Sequence, residues 1–158
     1  MSAPDMTSQQ LAGTWHIVCS SFPMWLSGKR AEPTFTYASL ADGRSGAPRM
    51  SDQVTYRSGT RTRRILGVDS RLVGRPGTVF RWRGRGPLCL FTSEWAVTEV
   101  GERDSWAVIE FTRSLVSPAG TDVVVRAESL DDAAVLAAAL DAGDRYGAAR
   151  LPGYGPVG

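Results

Sequence analysis

The sequence predicts an all-β protein: an eight-stranded antiparallel up-and-down barrel with one C-terminal α-helix packed outside it. Three observations carry this. Residues 11–128 read as short runs rich in Val, Ile, Thr, Phe, Tyr and Trp, broken by Gly, Pro, Asp and Ser. The pattern then changes abruptly to an Ala-rich stretch of helical character. The 158 residues, 42% hydrophobic and 22% charged, suit one globular domain with a sizeable core. Closure follows from the meander, because a barrel removes the unpaired edges of an open sheet.

Strands are expected at residues 12–20, 34–40, 51–58, 61–68, 78–84, 90–99, 105–113 and 121–128. The reversals Ala41-Asp42-Gly43, Ser58-Gly59, Pro76-Gly77, Val100-Gly101 and Ala119-Gly120 each place Gly where a tight turn takes positive φ. Ser129-Leu130-Asp131-Asp132 offers a hydroxyl cap and first-turn acids to a helix over about 129–142, ended by Gly143. Leu130, Ala133, Ala134, Leu136, Ala137 and Leu140 would form its buried stripe. The Pro- and Gly-rich tail, 143–158, is expected to follow the surface or fray. No linker divides the chain, so residues 1–158 form a single domain with its barrel at about 11–128.

The net charge of +2 conceals two features. Of the 18 basic residues only Lys29 is Lys, a skew that with abundant Ala and Gly reflects GC-rich codon usage. Nine Arg residues lie between Arg57 and Arg85, where Asp69 is the sole acid, and acids gather late, at Glu128, Asp131, Asp132, Asp141 and Asp144. A positive patch attracts nucleic acid or an anionic ligand. Cys19 and Cys89 fit no metal motif, and their apolar surroundings favour two buried free thiols over one bridge. With a single His and scattered carboxylates, no metal and no cofactor is expected. No apolar run approaches the ~20 residues of a membrane span, and the first ten residues lack the pattern of a secretory signal. The expectation is a cytoplasmic protein with no membrane partner.

Gly13-Thr14-Trp15 opens the first strand, and Arg126 closes the last strand just before the helix. In this the chain resembles the lipocalin family, whose Gly-x-Trp signature sits at the closed end of an eight-stranded barrel with an Arg across the indole. The helix and its trailing Arg145-Tyr146-Gly147 are most similar to the bacterial lipocalin and apolipoprotein D branch. The family's second signature, Thr-Asp-Tyr, is replaced by Gly101-Glu102-Arg103-Asp104-Ser105-Trp106. The physics agrees with the resemblance. A barrel of this size needs a large ring to plug its base, and a guanidinium can lie over that ring. Gly13, Trp15 and Arg126 are assigned to the base.

The resemblance implies a small hydrophobic ligand, polyketide-, isoprenoid- or lipid-like, in a central cavity. With Trp15 inward, alternation places Ile17 and Cys19 inside and His16 and Val18 outside. Between the first two strands, residues 20–28 carry Phe22, Met24, Trp25 and Leu26, which either cap the core or touch the ligand. Met24, Trp25, Tyr37, Tyr56, Trp82, Trp95, Trp106 and Glu110 are the expected ligand contacts. Three function classes follow. The first is a carrier. The second is a cofactor-independent cyclase or isomerase of secondary-metabolite biosynthesis, with Tyr37, Tyr56 and Glu94 as its polar groups, because cyclisation needs positioning and a hydrogen bond more than a strong acid–base pair. The third, nucleic-acid binding through the Arg and Trp residues of 81–85, trails, and an Arg at the mouth is expected to meet a carboxylate-bearing ligand instead.

Overall fold

A computed structural model describes residues 4–115 and 117–155. Eight antiparallel strands follow the predicted order: β1 (Gly13–Ser20), β2 (Ala31–Leu40), β3 (Arg49–Ser58), β4 (Arg61–Arg71), β5 (Thr78–Gly84), β6 (Thr92–Val100), β7 (Trp106–Phe111) and β8 (Gly120–Arg126). Each pairs with the next, and β1 pairs with both β2 and β8, so the sheet closes. A two-residue strand, β9 (Ala149–Arg150), adds to the outside of β1. One-turn helices α1 (Ser8–Leu11) and α2 (Pro23–Leu26) cover the two ends, and α3 (Ala133–Tyr146) lies against the outer wall.

Alternation along the strands sorts the apolar residues into two bodies. Trp15, Ile17, Phe35, Met50, Phe80, Trp95, Val97 and Ile109 fill the barrel. Val18, Val108, Val123 and Val125 point outward beneath α3. At the closed end the Arg126 guanidinium lies 4.1 Å from the centre of the Trp15 ring. It donates to the carbonyls of Ala12 at 3.0 Å and Asp104 at 2.7 Å, and to that of Gln10. The Trp15 indole N–H donates to the Leu11 carbonyl at 2.9 Å. The α1 turn is held by a capping box between Thr7 and Gln10. The base is thus locked through residues 10–12, 15, 104 and 126.

Several local expectations are corrected. A β-bulge between Ile17 and Cys19 breaks the alternation of β1, so Cys19 joins Val18 beneath the helix and Ser20 turns inward. Both cysteines are free, but Cys89 is exposed on the β5–β6 loop; burial pushes the Cys19 thiol up to about 11, which leaves it inert. The helix starts later than predicted because Asp132 caps it, accepting from the Ala134 and Val135 amides. It passes through Gly143 and ends at Gly147, in the left-handed conformation. Gly143 instead permits close approach, since a Cβ there would lie 2.5 Å from the Cys19 sulfur. The buried stripe is Ala139, Ala142 and Gly143, whereas Ala133, Ala134 and Ala137 are exposed. The tail does not fray as far as Tyr154: the Leu151 amide donates to the Val18 carbonyl and Leu151 is buried. Among the predicted turn glycines, Gly59 and Gly77 have positive φ, and Gly43, Gly101 and Gly120 do not.

The closed-end lock predicts that Arg126→Ala lowers unfolding stability by about 2–4 kcal/mol, through three lost carbonyl partners and the ring contact. Arg126→Lys recovers less than half of that, since an ammonium lacks the planar fork. Urea unfolding midpoints measure both, and a loss below about 1 kcal/mol for Arg126→Ala contradicts the assignment.

Candidate functional site

Closure turns every second residue of each strand into one interior, and this encloses three carboxyl groups. Asp52 on β3, Asp69 on β4 and Asp122 on β8 are all buried. Register fixes their neighbours. Asp52 stands opposite Tyr37 on one side and Gly67 on the other, and Asp69 stands opposite Met50 and Trp82. Asp122 faces Ser20 across the β1–β8 ladder.

Aromatic rings organise the space around the pair. Tyr37 stacks on Trp95 with centroids 5.6 Å apart and planes inclined 18°, and Trp95 stacks on Phe80 at 5.0 Å and 22°. The Trp95 indole N–H donates to Asp69 Oδ1 at 2.9 Å. Trp82 packs closely against Gly67: a Cβ at that position would lie 2.0 Å from the indole nitrogen, so only glycine fits there.

Three carboxyl oxygens, Asp52 Oδ1, Asp69 Oδ2 and Asp122 Oδ1, are buried and accept no hydrogen bond from the described protein. Leaving such groups unpaired is costly, and the carboxyls respond by holding protons. Burial pushes Asp52 up to about 6 and Asp122 up to about 7, the latter restrained by the Ser20 hydroxyl. Asp69 is raised well above its ordinary value by burial and then by the neighbouring Asp52 carboxylate, with the Trp95 indole N–H pulling the other way. The Tyr37 phenol is raised by burial and by all three acids, so it stays neutral. The interior thus sets a neutral phenol donor, Tyr37, beside two carboxyls, Asp52 and Asp69, that burial biases toward their protonated forms. Among the described residues no group of three or more His, Cys, Asp or Glu side chains is spaced to hold a metal ion.

The mouth is covered by α2. Phe22 packs edge-on against Phe111 at 5.4 Å, and Trp25 against Tyr56 at 5.6 Å. The Arg30 guanidinium lies 5.6 Å from the centre of the Tyr56 ring. Both lid rings are therefore core-capping in this conformation, and Leu26 is exposed. Beside the lid a pocket of about 440 Å³ is lined by Trp25, Arg30, Glu32, Arg57, Leu151 and Tyr154.

The structure brings Tyr37, Trp82 and Trp95 together around the acids, and Met24, Trp25 and Tyr56 together at the mouth. It separates the rest. Trp106 points outward, packed beneath α3, because β7 sends Ala107, Ile109 and Phe111 inside. Glu94 flanks the inward Trp95 and so faces out, paired with Arg81 at 3.0 Å and Arg75 at 3.3 Å, which hold its carboxyl below the usual range. Glu110 is likewise exposed on the outer face. Gly13, Trp15 and Arg126 occupy the closed end as described. Sequence reasoning missed all three aspartates. One signal was present: Asp69 is the single acid in the Arg-rich segment, in phase with the inward Gly67.

No protein-family model matches the sequence, and no curated protein matches it either. Solved structures do share the architecture. The siderocalin Ex-FABP, said to function through dual ligand specificities, aligns over 90% of this chain and 94% of its own, with 17% identity and a TM-score of 0.61. Lobster apocrustacyanin A1 aligns over 87% and 72%, with 12% identity and a TM-score of 0.57. The amine-binding protein of Rhodnius prolixus, in its tryptamine complex, aligns over 87% and 77%, with 11% identity and a TM-score of 0.52. These likenesses define the fold: a lipocalin-like eight-stranded barrel.

Because burial raises the folded-state pKa of Asp52 and Asp122 above the unfolded value near 4, the native state binds more protons than the unfolded chain across the interval up to about 7. Stability is therefore greatest in mild acid and falls as pH rises through that window. Thermal unfolding between pH 5 and pH 8 should show a falling Tm, and Asp122→Asn should flatten the fall and raise Tm at pH 8 by about 5 °C or more. A wild-type Tm that is level over that range contradicts the buried-carboxyl assignment.

Proposed function

We propose that this barrel binds a small, largely apolar molecule in its interior, with a polyketide-, isoprenoid- or lipid-like body against the aromatic column and an oxygen function against Asp52, Asp69 and Tyr37. The observation that carries this is the set of buried, unpartnered carboxyl oxygens facing the barrel interior. A hydroxyl or carbonyl group of the ligand meets complementary partners there: Asp69 and Tyr37 donate, and Asp52 accepts. A carboxylate does not, because the interior already holds negative charge. An anionic group on the ligand is thereby left to the Arg-rich mouth, where the sequence reading already places it. The binding reading agrees with the ligand specificities named for Ex-FABP and the tryptamine complex of the Rhodnius protein. Affinity with the bacterial lipocalin and apolipoprotein D branch rests on the tail residues alone.

Entry requires α2 to lift. A four-residue helix has little stability of its own, and the Phe22 N-cap supplies no side-chain hydrogen bond. Its position rests on the Phe22 and Trp25 ring contacts, which a ligand of similar apolar character replaces.

A second reading is favoured by one observation, the gathering of the Tyr37 phenol with the Asp52 and Asp69 carboxyls in one buried cluster. A protonated carboxyl in an apolar site polarises a carbonyl, which serves cyclisation or isomerisation of a polyene or polyketide without cofactor. In this reading Asp69 and Tyr37 take the role first given to Tyr37, Tyr56 and Glu94.

Titration with the neutral fluorophore N-phenyl-1-naphthylamine should give one site per chain. Decanol should displace it at least about tenfold more effectively than decanoate, and Asp69→Asn with Tyr37→Phe should erase that preference. Equal displacement by alcohol and acid contradicts the proposed polar site. Conversion of a conjugated polyene ketone to a new isomer, lost in Asp69→Asn, moves the conclusion to the second reading.

A further inference from the structure

The open end of the barrel is built from four segments: residues 21–30, 56–64, 83–93 and 112–115. Together they contain nine of the chain's 18 basic residues and none of its 16 acids. All nine basic side chains are exposed. Only Arg57 among them makes an ion pair with a described acid, Glu32 at 3.4 Å. Acids collect elsewhere, around the closed end in Glu102, Asp104 and Asp132, and along α3. Net charge near neutrality thus hides a strongly polarised molecule with a cationic mouth.

The same rim carries protruding apolar side chains. Leu90 is 88% exposed and Leu115 is fully exposed, at the tips of the β5–β6 and β7–β8 loops, and Leu26 and Phe91 are partly exposed beside them. Between the two loops runs a groove of about 700 Å³. Isolated surface leucines need no explanation, but a cluster at one end, ringed by Arg residues that outnumber the acids at its edge, Glu32 and Glu94, is a different pattern. Water is a poor solvent for those tips. A solely electrostatic partner gives them nothing to enter.

We propose that the open end docks on an anionic membrane surface, with Leu90 and Leu115 inserted at the headgroup boundary and Arg61, Arg63, Arg64, Arg85 and Arg113 against the lipid headgroups. Charge complementarity selects the lipid class, and the aliphatic tips select a bilayer over nucleic acid, which is held by exposed rings on which bases stack. No described helix is long and apolar enough to cross a membrane, so the association is peripheral. The proposal departs in this respect from the sequence expectation of no membrane partner. The inference stands whether or not the interior holds a ligand. If it does, docking places the α2 lid at the lipid surface, where an apolar molecule passes between barrel and bilayer without crossing water.

Co-sedimentation of the full chain tests this with vesicles of phosphatidylcholine, alone or containing about 30 mol % phosphatidylserine. The expected result is at least about tenfold stronger binding to the anionic vesicles, falling steeply with salt. Leu90→Asp with Leu115→Asp, and separately Arg61→Gln with Arg63→Gln and Arg64→Gln, should each weaken it about tenfold or more while leaving the melting temperature unchanged. No binding to anionic vesicles overturns the proposal. So does vesicle binding that ignores the leucine substitutions, which is charge adhesion alone. Binding of an oligo(dT) strand more tightly than vesicles, unaltered by the leucine substitutions, assigns the surface to nucleic acid instead.

Discussion

Closing an antiparallel sheet on itself imposes the constraint from which the other features follow. Once β1 pairs with both β2 and β8, alternate residues of all eight strands share one enclosed volume, and any polar side chain in phase with it loses water. The Trp15–Arg126 lock fixes which end is sealed. Everything that can exchange with solvent or partner is then concentrated at the other end, where α2 and three further segments meet.

Under that constraint the three aspartates are a cost to folding. An interior of leucine or methionine at positions 52, 69 and 122 would hold together better at neutral pH, because a buried carboxyl is either stripped of water or forced to take a proton. Their positions are coordinated with the rings around them: Trp95 donates to Asp69, Tyr37 stacks on Trp95, and Gly67 clears space for Trp82. A costly polar cluster with a fitted aromatic surround has the composition of a recognition site, apolar walls with a few convergent polar groups. On the outer wall the charges obey a different rule. They are solvated and segregated, bases to the mouth and acids toward α3 and the base.

Much of the fold could be read from the residues because each strand announces itself through β-branched and aromatic runs, and each reversal through Gly or Pro. All eight strands were expected within about three residues of their ends. What escaped was local and physical. The bulge at Ile17–Cys19 has no compositional mark, yet it reverses the direction of Cys19. Asp132 outcompeted Ser129 as the cap, which shifted α3 by about one turn and changed its buried stripe. In the site, aromatic residues were found by their chemistry, whereas their direction was not: Trp95 and Trp106 look alike in sequence and lie on opposite faces of the wall. Glu94 and Glu110 drew attention as acids among aromatic residues, and both sit one residue out of phase with the interior. The aspartates that are in phase resembled turn or surface residues until closure enclosed them.

The proposed site depends on interior carboxyl groups that burial biases toward their protonated forms and that face a bound molecule. Carbon-13 NMR of the aspartate side-chain carboxyls, followed from pH 3 to pH 9 with and without decanol, tests this directly. The result predicted is that Asp69 titrates well above the ordinary carboxylate value, that Asp52 and Asp122 titrate near 6 and 7, and that decanol shifts Asp52 and Asp69. Three carboxyls titrating together near the ordinary value of about 4, unmoved by the alcohol, would contradict it.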